Sequence, residues 1–238
     1  MQVSNAYWGF PISPELHDTA KSTIAMINQT DGTEPNRLSL TAASIVSQLT
    51  QHGLQNYYHK PTEIVPLPPM AKKTADTGIK AIMVGLDFVI RQFFKNRSHE
   101  ELQLISNYLD LMLHAHPESG NHFLVFALND NLYNRAKYLL TSVRENSRRD
   151  DYMEGVIDAL CDLVVEGVKY YYAEPTRLVN FGGLTKKTAD VSISQVQKGI
   201  QSLIKKLVSE LGHSQLVELS HHIEFMLHAA DDLNKGAA

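Results

Sequence analysis

Lys72-Lys73-Thr74-Ala75-Asp76 occurs a second time in the chain, as Lys186-Lys187-Thr188-Ala189-Asp190. The match extends on both sides of this element without a gap, and between Leu49 and Ala115 about a third of the residues are identical to those 114 positions later. Self-similarity at a fixed spacing is typical of repeat architectures. The sequence therefore predicts a tandem duplication, with a first unit over residues 1–119 and a second over residues 120–238.

Apolar residues recur at helical spacing through most of each unit. In the first unit this pattern predicts four helices, at about 14–28, 38–58, 70–95 and 98–116, and the second unit repeats it. No stretch alternates between polar and apolar residues for long enough to predict a strand. The expected fold is therefore all-α, with about eight main helices forming a pseudo-twofold helical bundle, packed either as two bundles or as one body.

Local signals place several of the expected boundaries. Pro61 is expected to end the second helix, because the residue before a proline avoids helical geometry. Ser98 and Glu101 have the spacing of a capping box at the start of the fourth helix. Residues 31–36 contain Asp-Gly followed by a proline and are predicted to form a turn. In the second unit, residues 123–144 are expected to form the counterpart of the first helix.

The N-terminal residues 1–13 precede the first predicted helix and are rich in aromatic side chains. Trp8, the chain's single tryptophan, lies beside Tyr7 and Phe10. These residues are expected to form an aromatic arm that packs on the helical body.

Composition restricts the classes of function. The chain has 238 residues and a net charge of −4, without the basic excess by which proteins bind nucleic acid, so no nucleic acid partner is expected. Its one cysteine excludes an intramolecular disulfide and favours a reducing compartment. No secretory signal and no transmembrane segment is recognisable in the sequence. We therefore expect a soluble, cytoplasmic protein.

The duplicated lysines are the first candidate binding residues. Lys72, Lys73, Lys186 and Lys187 lie at predicted helix starts, where free N–H groups and a partial positive charge favour anions over cations. One interpretation is that the lysines and these N–H groups hold a small anionic ligand such as a phosphate or carboxylate. The alternative, which is favoured because no glycine-rich phosphate loop precedes the lysines, is that Asp76 and Asp190, each four residues after a lysine, offset the lysine charge.

Paired tyrosines near the end of the second helix of each unit are the second candidate. Tyr57 and Tyr58 correspond to Tyr171 and Tyr172. These rings are expected either to line a groove for an apolar or aromatic ligand or to close the end of a helical bundle, with the hydroxyl groups reaching water or backbone.

Catalytic, metal and cofactor sites are not expected. Asp110 and His114, like Glu224 and His228, are four residues apart on a predicted helix, whereas a di-metal bundle needs Glu-x-x-His and further inward carboxylates. His114 and His228 are instead expected in the last turn of a helix, where a cation is favourable. Cys161 lies in an apolar stretch and is expected to be a buried hydrophobe.

Three functions are compatible with these observations. The first is a non-enzymatic helical protein that acts as an interaction, scaffold or regulatory module through a protein partner or self-association. The alternative is a binder of a small anionic or amphipathic ligand at the Lys-Lys-Thr-Ala-Asp helix starts. A further alternative is a peripheral protein of a lipid or granule surface, although such proteins usually have a basic helix face.

Overall fold

The computed structural model describes residues 6–29 and 34–234, and most of these residues are helical. The predicted turn at 31–36 falls largely on residues 31–33, which lie outside the described ranges. In chain order the elements are β1 (Ala6–Ile12), α1 (Pro14–Gln29), α2 (Pro35–Leu54), a π-helical turn (Gln55–His59), α3 (Lys60–Ile64), α4 (Pro69–Phe94), α5 (His99–Asp110), β2 (Leu113–Ala115), β3 (His122–Ala127), α6 (Asp130–Glu145), a 3-10 turn (Arg149–Asp151), α7 (Met153–Val168), a second π-helical turn (Lys169–Ala173), α8 (Glu174–Arg177), α9 (Gly183–Glu210), α10 (His213–Phe225), β4 (Leu227–Ala229) and α11 (Ala230–Asn234).

The helices surround a four-stranded antiparallel sheet with the strand order β2-β3-β1-β4. Its centre is the pairing of β1 with β3, in which Trp8 lies opposite Phe126 and Phe10 lies opposite Leu124. The expected dominance of helices is confirmed, but the expectation of no strand is wrong. The sheet joins strands from the two predicted units, because β2 pairs with β3 and β4 pairs with β1.

Burial on both faces explains why the sequence pattern did not indicate these strands. Trp8, Phe10 and Phe126 point into the main hydrophobic core, whereas Tyr7 and Val125 belong to a second cluster on the other face. A strand buried on both faces is apolar throughout and does not alternate. The predicted aromatic arm is therefore the central strand β1, and residues 123–144 are not one helix but β3 followed by α6.

Gly9 allows the two central strands to approach each other. A Cβ atom at this position would lie 2.4 Å from the backbone oxygen of Leu124 and 2.8 Å from the Cα atom of Val125. Since no side chain fits against backbone at these distances, only glycine is compatible with the observed pairing of β1 and β3.

The fourth predicted helix of each unit is shorter than expected. The capping box of Ser98 and Glu101 is confirmed at the start of α5. However, α5 ends at Asp110 and α10 ends at Phe225, and the chain then enters β2 and β4. His114 and His228 lie on these strands, so their predicted place in the last turn of a helix is wrong.

Pro61 does not end the helical path of the second helix. The π-helical turn Gln55–His59 follows α2 directly, and the chain continues into α3 with Pro61 in its first turn. Proline is tolerated there because the first turn of a helix does not require its missing N–H group. The chain therefore leaves the helical path only after Ile64.

The long helices α4 and α9 pack against each other in antiparallel orientation. Gly78 faces Leu203, Gly85 faces Val196 and Gly199 faces Ile82. Helix α9 also packs on α7, and α4 packs on α2. The α4–α9 pair therefore covers the side of the core that α2 and α7 form. None of the helices in the described part of the chain has the length and apolar character needed to cross a membrane.

Candidate functional site

A cavity of about 490 Å³ lies between the α4–α9 pair and the core formed by the sheet, α2 and α7. Cavities of roughly 300–1,000 Å³ are typical of small-molecule sites. Helices α4 and α9 supply much of the wall, and Trp8, Phe10, Leu124 and Phe126 contribute one face of the sheet. The apolar side chains from the helices include Leu49, Ile79, Ile82, Leu86, Ile90, Leu160, Leu163, Ile200, Leu203, Ile204 and Leu207.

The polar groups of the wall are few and uncharged in their ordinary states. They come from two threonines, Asn56, His222 and a group of tyrosines. None of the described residues that line the cavity is an aspartate, glutamate, lysine or arginine. The site can therefore exclude water and hold hydrocarbon, but it offers no counter-charge to an ionised ligand.

Two π-helical turns position the tyrosines. Each turn carries one tyrosine pair, Tyr57 and Tyr58 in Gln55–His59 and Tyr171 and Tyr172 in Lys169–Ala173. All four line the cavity, as do Tyr108 and Tyr170. A π-helical turn adds a residue to the helical path, changes the direction of the side chains that follow and is frequent at functional sites.

The first tyrosine of each pair is directed to the cavity. Tyr57 and Tyr171 are 41% and 37% exposed although both rings lie deep in the protein, so their accessible surface faces the cavity. Trp8 Nε1 donates a hydrogen bond of 3.0 Å to the Tyr57 hydroxyl, and the Tyr171 hydroxyl interacts with that of Tyr57. Burial raises the pKa of both hydroxyl groups, which keeps them protonated and neutral.

Aromatic packing fixes these two rings against the sheet. The Trp8 indole is nearly parallel to the Tyr57 ring, with 6.3 Å between centroids, and the Phe10 ring meets Tyr57 edge-on. Phe126 meets Tyr171 edge-on and stacks on Tyr170. Because stacked and edge-to-face contacts restrict the rings, the hydroxyl groups are held in place rather than free to rotate away.

The second tyrosine of each pair binds the duplicated element. The Tyr58 hydroxyl donates a hydrogen bond of 2.7 Å to Asp76, and the Tyr172 hydroxyl donates one of 2.7 Å to Asp190. Burial and then the aspartate raise the pKa of each of these tyrosines. The aspartates thereby connect the π-helical turns to the starts of α4 and α9.

The lysines of the element lie outside the cavity. Lys72 Nζ is 4.0 Å from Asp76 and Lys186 Nζ is 2.9 Å from Asp190, and both lysine side chains are about half exposed. Lys73 and Lys187 are exposed. This geometry corresponds to the alternative in which the aspartates offset the lysine charge.

The two lysine pairs are also far from each other. Ile82 faces Gly199 in the antiparallel pair, so Lys72 and Lys186 lie 23 residues apart along it, or roughly 35 Å at 1.5 Å per residue. One small ligand therefore cannot contact both pairs.

Backbone carbonyls of the π-helical turns are bound by side chains from distant helices. The Tyr108 hydroxyl of α5 donates to the Tyr170 carbonyl at 2.9 Å, and His222 Nε2 of α10 lies 2.8 Å from the Asn56 carbonyl. Asn56 itself is 2% exposed, and its side-chain amide donates to the carbonyls of Pro11 and His52. These contacts fix both turns at the cavity.

Other candidate groups do not form a site. No cluster of metal-ligating side chains occurs among residues 6–29 and 34–234. Cys161 is buried on α7, and burial raises the pKa of its thiol, which lowers its reactivity. The cavity is thus the feature of the described residues with the character of a binding site.

Sequence reasoning identified the tyrosine pairs but not the cavity. The predicted aromatic arm does not place Trp8 in the wall of a cavity. Nothing in the sequence positions of Asn56 and His222 indicates that these two residues are in contact. One available signal was the pair of equivalent glycines, Gly53 and Gly167, which lie four residues before Tyr57 and Tyr171 and line the cavity. Comparison with protein families, curated proteins and solved structures finds no match to the chain.

Proposed function

We propose that the protein binds an apolar small molecule in the cavity under α4 and α9, and that it does so without catalysing a reaction on it. The observation that carries this proposal is a volume of about 490 Å³ whose described wall is almost entirely aliphatic and aromatic and contains no acidic or basic side chain other than His222. Such a wall favours hydrocarbon over water because burying apolar surface is favourable by roughly 25 cal/mol per Å².

The size of the cavity makes occupancy energetically important. The atoms that line an empty volume lack the van der Waals contacts that a filled core provides, and cavities left by core truncations destabilise a protein more as their volume grows. A ligand that fills the cavity would therefore contribute strongly to the stability of the fold.

The single tryptophan provides a direct test. Trp8 lines the cavity, and its indole is hydrogen-bonded to Tyr57, so a ligand that enters should change its emission. We expect the neutral dye Nile red to quench Trp8 fluorescence, to gain fluorescence itself and to raise the melting temperature. The matched variants, compared through the dye's own fluorescence, are Ile200→Trp, which reduces the volume, and Val84→Trp on the exposed face of α4, which does not. If Nile red binds equally to both variants, the cavity is not the site.

A duplication of one structural unit is the best explanation for this architecture. The two π-helical turns, the Tyr58–Asp76 and Tyr172–Asp190 contacts and the reciprocal strand pairings support it. Under this proposal the halves 1–119 and 120–238 are related by a pseudo-twofold axis near Tyr57 and Tyr171. The cavity then lies between the halves, and its two tyrosines are equivalent.

The other functions suggested by the sequence have less support. An interaction module would use a continuous apolar surface, but the exposed residues Leu40, Val84 and Tyr138 lie on three different helices. An anionic ligand at the lysines would have to displace Asp76 or Asp190. A cytoplasmic location stays a prediction from the sequence.

A further inference from the structure

We propose that the cavity ligand is an uncharged, mainly hydrocarbon molecule with one oxygen acceptor, such as a ketone or ester carbonyl, that binds the hydroxyl pair of Tyr57 and Tyr171. This inference rests on the proposed function and specifies the ligand class. It starts from the contrast between a wall of hydrocarbon and two hydroxyl groups that face the cavity from the two π-helical turns.

The hydroxyl groups of Tyr57 and Tyr171 include one O–H group that has no acceptor within the pair. The Tyr57 hydroxyl accepts from Trp8 Nε1 at 3.0 Å, and the indole N–H can only donate. The hydroxyls of Tyr57 and Tyr171 together carry two protons, and a hydrogen bond between them uses one. One O–H group is therefore left over, whichever tyrosine donates to the other.

The hydrogen bonds described for the neighbouring polar groups go to other partners. The Tyr108 hydroxyl donates to the Tyr170 carbonyl at 2.9 Å, and the ring nitrogen of His222 binds the Asn56 carbonyl at 2.8 Å. A buried donor without a partner is unfavourable, and buried polar groups are nearly always hydrogen-bonded. An acceptor on the ligand satisfies the remaining O–H group.

The acceptor is neutral because the cavity has no lysine or arginine to balance a negative charge, and His222, the basic side chain of the described wall, is bound to the Asn56 carbonyl. None of the described lining residues is a lysine or arginine, and Lys72 and Lys186 lie outside the cavity beside their aspartates. An ionised carboxylate without a counter-charge is strongly disfavoured in such surroundings. A cationic ligand is disfavoured equally, since no described lining residue is an aspartate or glutamate.

The volume sets the length of suitable probes. At about 30 Å³ for each methylene-sized group, 490 Å³ accommodates a saturated chain of about 16 groups. 2-Pentadecanone and hexadecane both have this size and differ in the carbonyl oxygen. Pentadecanoate has a similar chain and carries a charge.

Displacement of bound Nile red by these three probes tests the inference. For the unmodified protein we expect 2-pentadecanone to bind roughly 2- to 10-fold more tightly than hexadecane, the ratio that one neutral hydrogen bond supports, and pentadecanoate to bind more weakly than the ketone at neutral pH. The double variant Tyr57→Phe/Tyr171→Phe should lower the preference for the ketone while hexadecane affinity changes less than about 2-fold, whereas each single variant keeps one O–H group without a partner and should retain that preference. Tyr138→Phe, on the exposed face of α6, is the matched control and should retain the preference.

Each alternative result has a defined meaning. Equal affinity for the ketone and the alkane, or an undiminished preference in the double variant Tyr57→Phe/Tyr171→Phe, overturns the role of the hydroxyl pair but leaves the apolar site intact. Binding of pentadecanoate as tight as that of the ketone overturns the requirement for a neutral ligand. If none of the probes binds, the proposed function itself is wrong. Circular dichroism of each variant establishes that it is folded.

Discussion

The ring nitrogen Nε2 of His222 lies 2.8 Å from the backbone carbonyl oxygen of Asn56, although the two residues are 166 positions apart. Tyr108 makes the equivalent contact to the carbonyl of Tyr170 at 2.9 Å. The two donors are 114 residues apart, and so are the two acceptors. Each π-helical turn is therefore held by a helix from the opposite half of the chain, and the two contacts are reciprocal.

Removal of either donor should destabilise the protein to a similar extent. In His222→Phe and Tyr108→Phe, a largely buried carbonyl loses its partner, which we expect to lower the free energy of unfolding by about 1–3 kcal/mol. Urea unfolding followed by circular dichroism measures this change. Tyr133→Phe, in which the hydroxyl makes no hydrogen bond among those described, is the control and should change stability by less than about 0.5 kcal/mol.

The tyrosine–aspartate contacts should matter more than the lysines beside them. We expect Tyr172→Phe to cost about 1–2 kcal/mol, since Tyr172 is buried and its hydroxyl binds a carboxylate. Lys186→Ala should cost less than about 1 kcal/mol, because the Lys186–Asp190 pair is nearly half exposed and screened by solvent. Thermal unfolding of the two variants compares them directly. A larger loss in Lys186→Ala would show that the lysine has a role beyond this ion pair.

Two glycines of the cavity wall should respond differently to alanine. A Cβ atom at Gly167 would make ordinary contacts of 3.8 Å with Tyr171, whereas one at Gly53 would lie 3.3 Å from the Phe10 ring. Both glycines are in helices, where alanine is favoured by about 0.5–1 kcal/mol. We therefore expect Gly167→Ala to stabilise the protein by up to about 1 kcal/mol and Gly53→Ala to be neutral or destabilising in chemical unfolding. Equal stabilisation of both would contradict the packing described for Phe10.

Acid should weaken the fold through His228. This side chain is 6% exposed on β4, and its Nε2 atom has no hydrogen-bond partner among the described residues. Burial lowers its pKa from 6.5 to about 4, and the nearby His116 and His114 act in the same direction, whereas Asp232 opposes them. Between these pH values the unfolded chain binds more protons than the folded protein, so stability falls as the pH decreases. The loss should reach about 3 kcal/mol by pH 4.

The contribution of His228 can be isolated with His228→Phe. This variant keeps an aromatic ring against Phe123, which lies 4.4 Å away between centroids. We expect its stability to depend less steeply on pH between 6.5 and 4 in urea titrations at fixed temperature. An unchanged slope would assign the effect to other groups, among which His114 and His122 also have lowered pKa values.

Core truncations should distinguish the cavity wall from the solid core. Leu102 is 0% exposed, and Leu102→Ala should cost about 3–5 kcal/mol, near the upper part of the range for buried leucines. Ile204 borders the cavity and has fewer atoms around it, so Ile204→Ala should cost less than Leu102→Ala. Saturation with Nile red should stabilise the original protein more than Ile204→Ala, because the variant loses contacts to the dye. Thermal shift with and without dye measures both effects.

The sequence predicted the helices better than it predicted the site. The amphipathic pattern and the capping residues Ser98 and Glu101 are local properties, and they predict helices that the structure contains. Whether Trp8 belongs to an arm or to a strand depends on its pairing with Phe126, which is 118 positions away. No local pattern contains that information.

The cavity was missed for a related physical reason. Ile82 and Ile200 have the helical spacing that predicts a filled core, and hydrophobic spacing specifies which face is turned inward. It does not specify how far apart two inward faces lie. That distance depends on how α4 and α9 cross the sheet, and hence on tertiary packing.

The order of strands in the sheet has a consequence for synthesis of the protein. β1 begins at Ala6, but one of its two neighbours is β4 at Leu227–Ala229. At about 5–20 residues per second, a ribosome needs roughly 10–45 s to pass from the first of these strands to the last. Throughout that interval the aromatic strand β1 lacks one of its partners. Productive folding of this chain is thus completed after translation of the last strand, and exposed β1 is the segment that chaperones would have to shield.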